Sequence, residues 1–419
     1  IGRITGTPGV VITTSGPGVS NLATGLVTAT DEGDPVLAIS GQVKRADLLK
    51  RSHQSMKNVA MMEPVTKYAV EVHEPDTLSE TIANAYRVAK SGKRGASFVS
   101  IPQDVTDSLV SVKAIKPLTD PQLGSASVGD INYLAQAIRN ADLPVLLLGN
   151  GASTRAVTKS IRKLLDAVKL PVVETFQGAG IVSRELEEDT FFGRVGLFRN
   201  QPGDMLLKKA DLVIAIGYDP IEYEARNWNA EISARIIVID VAQAEIDTYF
   251  QPERELIGNI ADTIDLLLPA VNGYVLPKAS VDYLQNLKKN VVEDVKFDRN
   301  SKEGLVHPLD VIDVLQENTT DDMTVTVDVG SHYIWMARYF KSYEARHLLF
   351  SNGMQTLGVA LPWAISAALV RPNTTVVSVS GDGGFLFSAQ ELETAVRLKL
   401  PIVHIIWNDG KYNICLLYT

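Results

Sequence analysis

Short runs of β-branched and apolar residues recur along this chain, each closed by Gly, Ser, Pro or Asp and followed by a stretch with helical periodicity. Gly9-Val10-Val11-Ile12-Thr13-Thr14 is the first, and residues 35–41 and 95–102 repeat it. Between them, residues 77–91 put Leu78, Ile82, Ala85 and Ala89 on one helical face. The pattern returns at 143–149, 170–175, 211–217 and 236–240, and again at 324–330, 377–381 and 401–407. Strands that alternate with helices cannot close as hairpins. They predict an α/β fold with parallel sheets covered by helices.

Two polar stretches interrupt the alternation. Residues 106–130 are rich in Ser, Pro, Lys and Asp. Residues 271–304 contain the mixed-charge segment 287–302, which reads as a solvated helix face. They predict domains at 1–105, 131–270 and 305–419 with linkers between. The 419 residues agree, at roughly 150 per domain. A net charge of −9 argues against nucleic acid or an anionic membrane as partner. No apolar run approaches the length of a membrane span. Cys415 is the single cysteine, so an internal disulfide is excluded and a reducing, cytoplasmic compartment is expected. The chain opens without Met and reads as cut from something longer.

Chemistry concentrates between residues 377 and 413. One run ends in Gly381-Asp382-Gly383-Gly384, a helical segment follows, and a second run ends in Asn408-Asp409. Ser388-Ala389-Gln390-Glu391 reads as a capping box that starts the intervening helix. Both acids fall just past the carboxyl ends of apolar strands, where open parallel sheets bind ligands. Two carboxylates beside glycines suit Mg²⁺ carrying a phosphate ligand. The competing reading, a tight turn after each strand, requires two acid-tipped strands with no ligand.

This constellation resembles the thiamine diphosphate motif. The resemblance implies Mg²⁺ held by Asp382, Asp409 and the backbone carbonyl of Lys411, with Gly381, Gly383 and Gly384 against the cofactor diphosphate. Leu349-Phe350-Ser351-Asn352-Gly353-Met354-Gln355-Thr356-Leu357-Gly358 resembles the acetolactate synthase segment that supports the thiazolium, so Leu357 and Gln355 are expected at the cofactor. From composition alone Leu357 would be a core leucine before an apolar helix at 357–370. Ser15-Gly16-Pro17-Gly18-Val19-Ser20-Asn21 resembles a first-domain turn that reaches the active site across a subunit interface; Gly16, Pro17, Gly18 and Asn21 are its cofactor-binding candidates. Ser52-His53-Gln54-Ser55-Met56 resembles a loop carrying an active-site glutamine, which makes Gln54 the catalytic candidate. Lys67 is a weaker one, His53 reads as a surface or packing histidine, and His404 reads as a strand residue.

The fold so implied is three doubly wound parallel-sheet domains of the pyruvate decarboxylase and acetohydroxyacid synthase type. The implied reaction joins two pyruvate into 2-acetolactate and CO₂ in a homodimer or homotetramer. In the middle unit, Gly149-Asn150-Gly151 with Glu174 on the next run is a partial dinucleotide fingerprint whose third glycine position is Thr154. The Arg-Phe-Asp-Asp-Arg segment of the FAD-containing relatives is replaced by Tyr218-Asp219-Pro220-Ile221-Glu222-Tyr223. With residues 194–198 this resembles the catabolic, FAD-independent synthases, so FAD is not expected. The family's activating glutamate is expected upstream of Ile1, and residues 414–419 do not resemble the family. The stretch by itself is therefore expected to be nearly inactive. Alternatives are an FAD-containing biosynthetic synthase, another decarboxylase or carboligase of benzoylformate or oxalyl-CoA type, and a cofactor-binding module without catalysis.

Overall fold

The computed structural model describes residues 1–197, 201–294 and 305–410, the side chains of 290–294 excepted. The chain divides into two compact units, Ile1–Gln122 and Leu123–Thr419.

The first unit holds a four-stranded sheet: β1 (Gly9–Thr13), β2 (Val36–Gln42), β3 (Tyr68–Glu71) and β4 (Ala96–Pro102), in the order β1-β2-β4-β3. Every pairing is parallel. Phe98, Ala38, Val19 and Met62 bury one face, and Leu37, Val99 and Ala85 bury the other. That is why β2 and β4 read as nearly continuous apolar runs.

The second unit holds two sheets. The larger contains β5 (Pro144–Leu148), β6 (Val172–Thr175), β7 (Phe191–Val195), β8 (Leu212–Ile216), β9 (Arg235–Asp240) and β10 (Arg254–Ile257), in the order β10-β9-β8-β5-β6-β7. All of its pairs are parallel. The chain winds outward from β5 to β7, returns to the other side of β5, and winds outward again. Strand direction of progress therefore reverses between β5 and β8, a topological switch point. Alternate residues of β5 feed opposite cores: Leu146 and Leu148 meet Ile161, Leu164 and Ile264, while Val145 and Leu147 meet Leu206 and Trp228. Helices are thus needed on both faces.

The other sheet contains β11 (Thr324–Val327), β12 (Leu348–Leu349), β13 (Val376–Gly381) and β14 (Ile402–Trp407), in the order β12-β11-β13-β14 and again all parallel. Its switch point lies between β11 and β13.

Three α/β sheets match the expectation. Several details differ. β3, β7, β10 and β12 are too short or too polar to stand out as apolar runs. The mixed-charge stretch after 271 contains the helix Lys278–Asp294, whose Leu284 and Leu287 bury into the central core. Leu287, the first residue of the segment 287–302, is therefore core and not part of a solvated face. The capping box at Ser388 is not formed: the helix begins at Asp382 with Gly381 as its N-cap, and Ser388 is its last residue. No side-chain cap bond forms at Ser388, because the chain turns helical as soon as β13 ends. The apolar helix starts at Ala360, leaving Leu357 outside it. Among the described residues, no helix is long and apolar enough to cross a membrane.

Candidate cofactor site

The switch point between β11 and β13 collects most of the candidates in the second unit. Gly381 ends β13 and pairs with Trp407 at the end of β14, so Asp382 and Asp409 follow the carboxyl ends of neighbouring strands. Asp382 accepts the Gly383 N–H at 2.7 Å, which turns its carboxylate over the helix start. Asp409 is exposed, with one oxygen 3.5 Å from the Ser331 hydroxyl. Ser331 opens the helix Ser331–Tyr339, which leaves β11 on the far side of β13. Lys411, the expected carbonyl ligand, lies outside the described residues, as do Phe198 and residues 414–419.

Two residues that sequence reasoning missed complete this end of the sheet. His332 is 2% exposed, and its ring packs on Gly330 and Gly381. Its Nε2 has no hydrogen-bond partner. Burial pulls the imidazole down to about 4, against the upward pull of the Asp328 carbonyl and the Asp409 carboxylate. His332 is therefore neutral at pH 7. Asp328, fully buried at the end of β11, accepts backbone N–H groups from Val329, Gly358 and Ala360 at 2.9, 2.9 and 3.2 Å. The strand-end-acid pattern that singled out Asp382 and Asp409 also fits Asp328 and would have found it.

Gln355 and Leu357 lie on the loop that Asp328 grips. Leu357 is 44% exposed, so it is not a core leucine. Gln355 adopts left-handed backbone, φ 50°. The loop begins at Asn352, whose amide accepts the Tyr333 hydroxyl at 2.6 Å and donates to the Glu222 carbonyl.

The first unit makes a separate grouping at the carboxyl ends of β1 and β2. Gly16 is left-handed, φ 65°, and caps the helix Pro17–Asp31; Pro17 takes the first helical position and Asn21 is exposed. Gly16 faces Gln54, to whose Cβ an added methyl would come within 3.2 Å, and Gly18 packs on Thr14. Gln54 is exposed and left-handed, φ 55°. Ser15 Oγ lies 2.9 Å from the Gln54 carbonyl and 3.2 Å from Gln42 Oε1, and Gln42 Nε2 donates to the Met56 carbonyl at 2.9 Å. Gln42 thus holds the Met56 end of the Gln54 loop directly and Gln54 itself through Ser15. Left-handed backbone at a residue other than glycine costs about 1–3 kcal/mol and clusters at functional sites. Gln54 and Gln355 share it, although only their motifs pointed to them. Lys67 goes elsewhere: it precedes β3, at the amino end of the sheet, and donates to the Val88 and Ser91 carbonyls at 2.9 and 2.6 Å. His404 lies within β14, its ring 5.2 Å from that of Phe385.

The second switch point, between β5 and β8, is filled by the chain itself. The Glu222 carboxylate accepts the Asn150 N–H at 3.0 Å, the Asp219 N–H at 3.1 Å and the Thr175 hydroxyl at 2.6 Å. The glycines of the partial fingerprint serve backbone packing, since an added methyl on Gly149 would meet the Gly217 carbonyl at 2.5 Å. Glu174 is buried, held by the Gly180 and Val182 N–H groups and by Arg194 at 3.4 Å. Burial pushes Glu222 up to about 7, above an ordinary 4.5, while the Thr175 hydroxyl and the two N–H groups oppose it. A folded value above the unfolded one makes its stabilising contribution complete below about pH 4.5 and lost as pH rises through 7. Glu222→Gln is expected to remove a fall in stability on the order of 3 kcal/mol over that window, read from urea midpoints against pH. Parallel curves for the two proteins would count against it.

The donor set at β13 and β14 is what Mg²⁺ takes: carboxylate oxygens, few in number, leaving room for phosphate oxygens. Among the described residues no three His, Cys, Asp or Glu side chains converge on one point. The unpartnered, buried His332 Nε2 likewise leaves a polar atom for a ligand beside Gly381.

Three family models match in order: the thiamine pyrophosphate (thiamine diphosphate) enzyme N-terminal TPP binding domain over residues 1–61, the central domain over 131–267, and the C-terminal TPP binding domain over 328–416. The acetolactate synthase of Bacillus subtilis strain 168 is 52% identical over 99% of this chain and 72% of its own length. The catabolic acetolactate synthase of Raoultella terrigena is 46% identical over 99% and 74%. The large subunit of acetolactate synthase isozyme 2 of Escherichia coli K12 is 30% identical over 98% and 73%. With the three parallel sheets and these relatives in agreement, the chain belongs to the acetolactate synthases of the thiamine pyrophosphate enzyme family.

Proposed function

We propose that this protein condenses two pyruvate into 2-acetolactate with loss of CO₂, using thiamine diphosphate and Mg²⁺, and that it does so without FAD. The observation that carries the reading is the pair Asp382 and Asp409 on adjacent strand ends at a topological switch point. Asp382 and Asp409 hold the metal, with the Lys411 carbonyl. Gly381, Gly383 and Gly384 let the diphosphate approach the backbone. Leu357 and Gln355 support the ring. When bound, the cofactor supplies an electron sink for decarboxylation, and the chain supplies position and field. Gly16, Pro17, Gly18 and Asn21 line the cofactor on the first-domain side. Gln54 orients pyruvate, its exposed amide offering both a donor and an acceptor to the keto acid.

The domain limits 1–105, 131–270 and 305–419, an oligomer whose first domain serves a neighbouring copy, and a cytoplasmic location belong to the same proposal. FAD independence is supported by Glu222. Its carboxylate holds the backbone N–H groups at the β5–β8 switch point, where a dinucleotide would place its own anion.

Full-length protein given pyruvate, Mg²⁺ and thiamine diphosphate is expected to yield acetolactate while showing no flavin absorbance. Acetaldehyde without acetolactate would point to a simple decarboxylase. A yellow, flavin-retaining protein would overturn the FAD-independent assignment.

A further inference from the structure

Asp328 meets four of the segments that frame the proposed cofactor cleft. It ends β11 with no solvent exposure. Its Oδ1 accepts the N–H of Val329 and of Gly358, both at 2.9 Å. Its Oδ2 accepts the Ala360 N–H at 3.2 Å and lies 3.4 Å from the Ser380 hydroxyl near the end of β13. Gly384, in the first turn of the helix that follows β13, comes so close that an added methyl would stand 2.9 Å from Oδ1. One carboxylate therefore meets the end of β11, the loop behind Leu357, the end of β13 and the helix start that carries Asp382.

The geometry has a chemical reason. Gly358 and Ala360 lie where a left-handed residue, φ 82° at Gly358, turns the loop into the helix Ala360–Val370. The first N–H groups of a helix and its lead-in have no carbonyl partner of their own. A carboxylate can take all of them at once, because it accepts without donating. An amide of the same shape cannot, since one of its two ends would present hydrogens to hydrogens. Burial pushes the Asp328 carboxyl up, and the Gly358, Ala360 and Val329 N–H groups hold it down.

We propose that Asp328 is a positioning residue for the cofactor, setting the distance between the Leu357 loop and the Asp382 helix start by gripping both with one carboxylate. The inference rests on the cofactor reading above. Asp328 touches neither substrate nor metal in this role; it acts through Leu357 and Asp382.

Thiamine diphosphate is titrated calorimetrically into full-length protein at saturating Mg²⁺, and the circular dichroism of the bound cofactor is recorded. Asp328→Asn is expected to weaken affinity about tenfold or more, since one buried N–H loses its acceptor, and to change the dichroism of whatever cofactor still binds. Gly384→Ala, which crowds the carboxylate from the other side, is expected to weaken binding while the far-ultraviolet spectrum stays that of the parent. The single variant Asp328→Ala and the double variant Asp328→Ala/Gly384→Ala complete a cycle that supplies the reading a general loss of stability would not move. Removing the carboxylate makes room for the new methyl, so the two losses are expected to be less than additive. Simple additivity, or an Asp328→Asn protein that binds and absorbs like the parent, overturns the proposal and leaves the cofactor reading standing. Failure of the parent protein to bind thiamine diphosphate removes both.

Discussion

Asp382→Ala in the full-length protein is expected to weaken Mg²⁺-dependent thiamine diphosphate binding by about 100-fold or more and to abolish acetolactate formation. Mutating even the outer partners of metal ligands costs about 10- to 100-fold, and Asp382 is assigned as a direct one. The fold should survive, because Asp382 is only partly buried and its one side-chain bond is to the next residue's N–H. Calorimetry separates the two effects: an unfolding midpoint near that of the parent, with cofactor affinity lost. Unchanged affinity would remove Asp382 from the metal site and, with it, the reason for placing the cofactor at β13.

Gly217→Ala is expected to cost about 3 kcal/mol or more of stability, the largest effect we expect outside the cofactor cleft. Gly217 follows β8 in left-handed backbone, φ 54°. An added methyl would also stand 2.5 Å from the Gly151 carbonyl carbon, inside the paired turn after β5. Neither turn can yield, since Gly151 N–H donates to the Gly217 carbonyl at 2.8 Å and Gly149 faces the same group. Gly273→Ala provides the comparison. It has φ 77° with nothing within 4 Å of the added methyl, so it carries the backbone penalty alone, about 1 kcal/mol. Denaturant midpoints that place the two variants together would show that the β5–β8 turns are not in firm contact.

The legible part of this chain was its local pattern. β2, β4, β5, β8, β9 and β13 are buried on both faces, so they appear as apolar runs closed by turn residues. Strands of two to five residues such as β3, β7, β10 and β12 give no such signal. Strand order left no trace in the sequence at all, because a crossover to the left of β5 and one to its right use similar residues. The spacing of Asp382 and Asp409 points only to the ends of β13 and β14. The reversal of winding places the other wall of the cleft at β11, where Asp328 and His332 stand. Asp328 fits the strand-end-acid pattern, but its grip on Gly358 and Gly384 shows only in the fold, and His332 resembles an ordinary helix residue until Gly381 comes against it. Glu222 was read only as part of a departure from the FAD-binding relatives. Its contact with the Asn150 turn depends on a return of the chain across β5 that periodicity does not encode.

The Asp328 carboxylate also has a consequence for how the molecule is made. Its partners come from residues 329, 358, 360 and 380, so all but the first are synthesised well after the acid itself. Until they arrive, the carboxylate has only water to satisfy it, and burying it without partners is costly. Parallel pairing adds to the delay, because the intervening loop and helix must be in hand before the strands can meet. The carboxylate therefore gains its last partner, Ser380, only once β13 has been made. A nascent chain halted before β13 lacks Asp382 and Asp409, so a ligand held through Mg²⁺ has little to stabilise there.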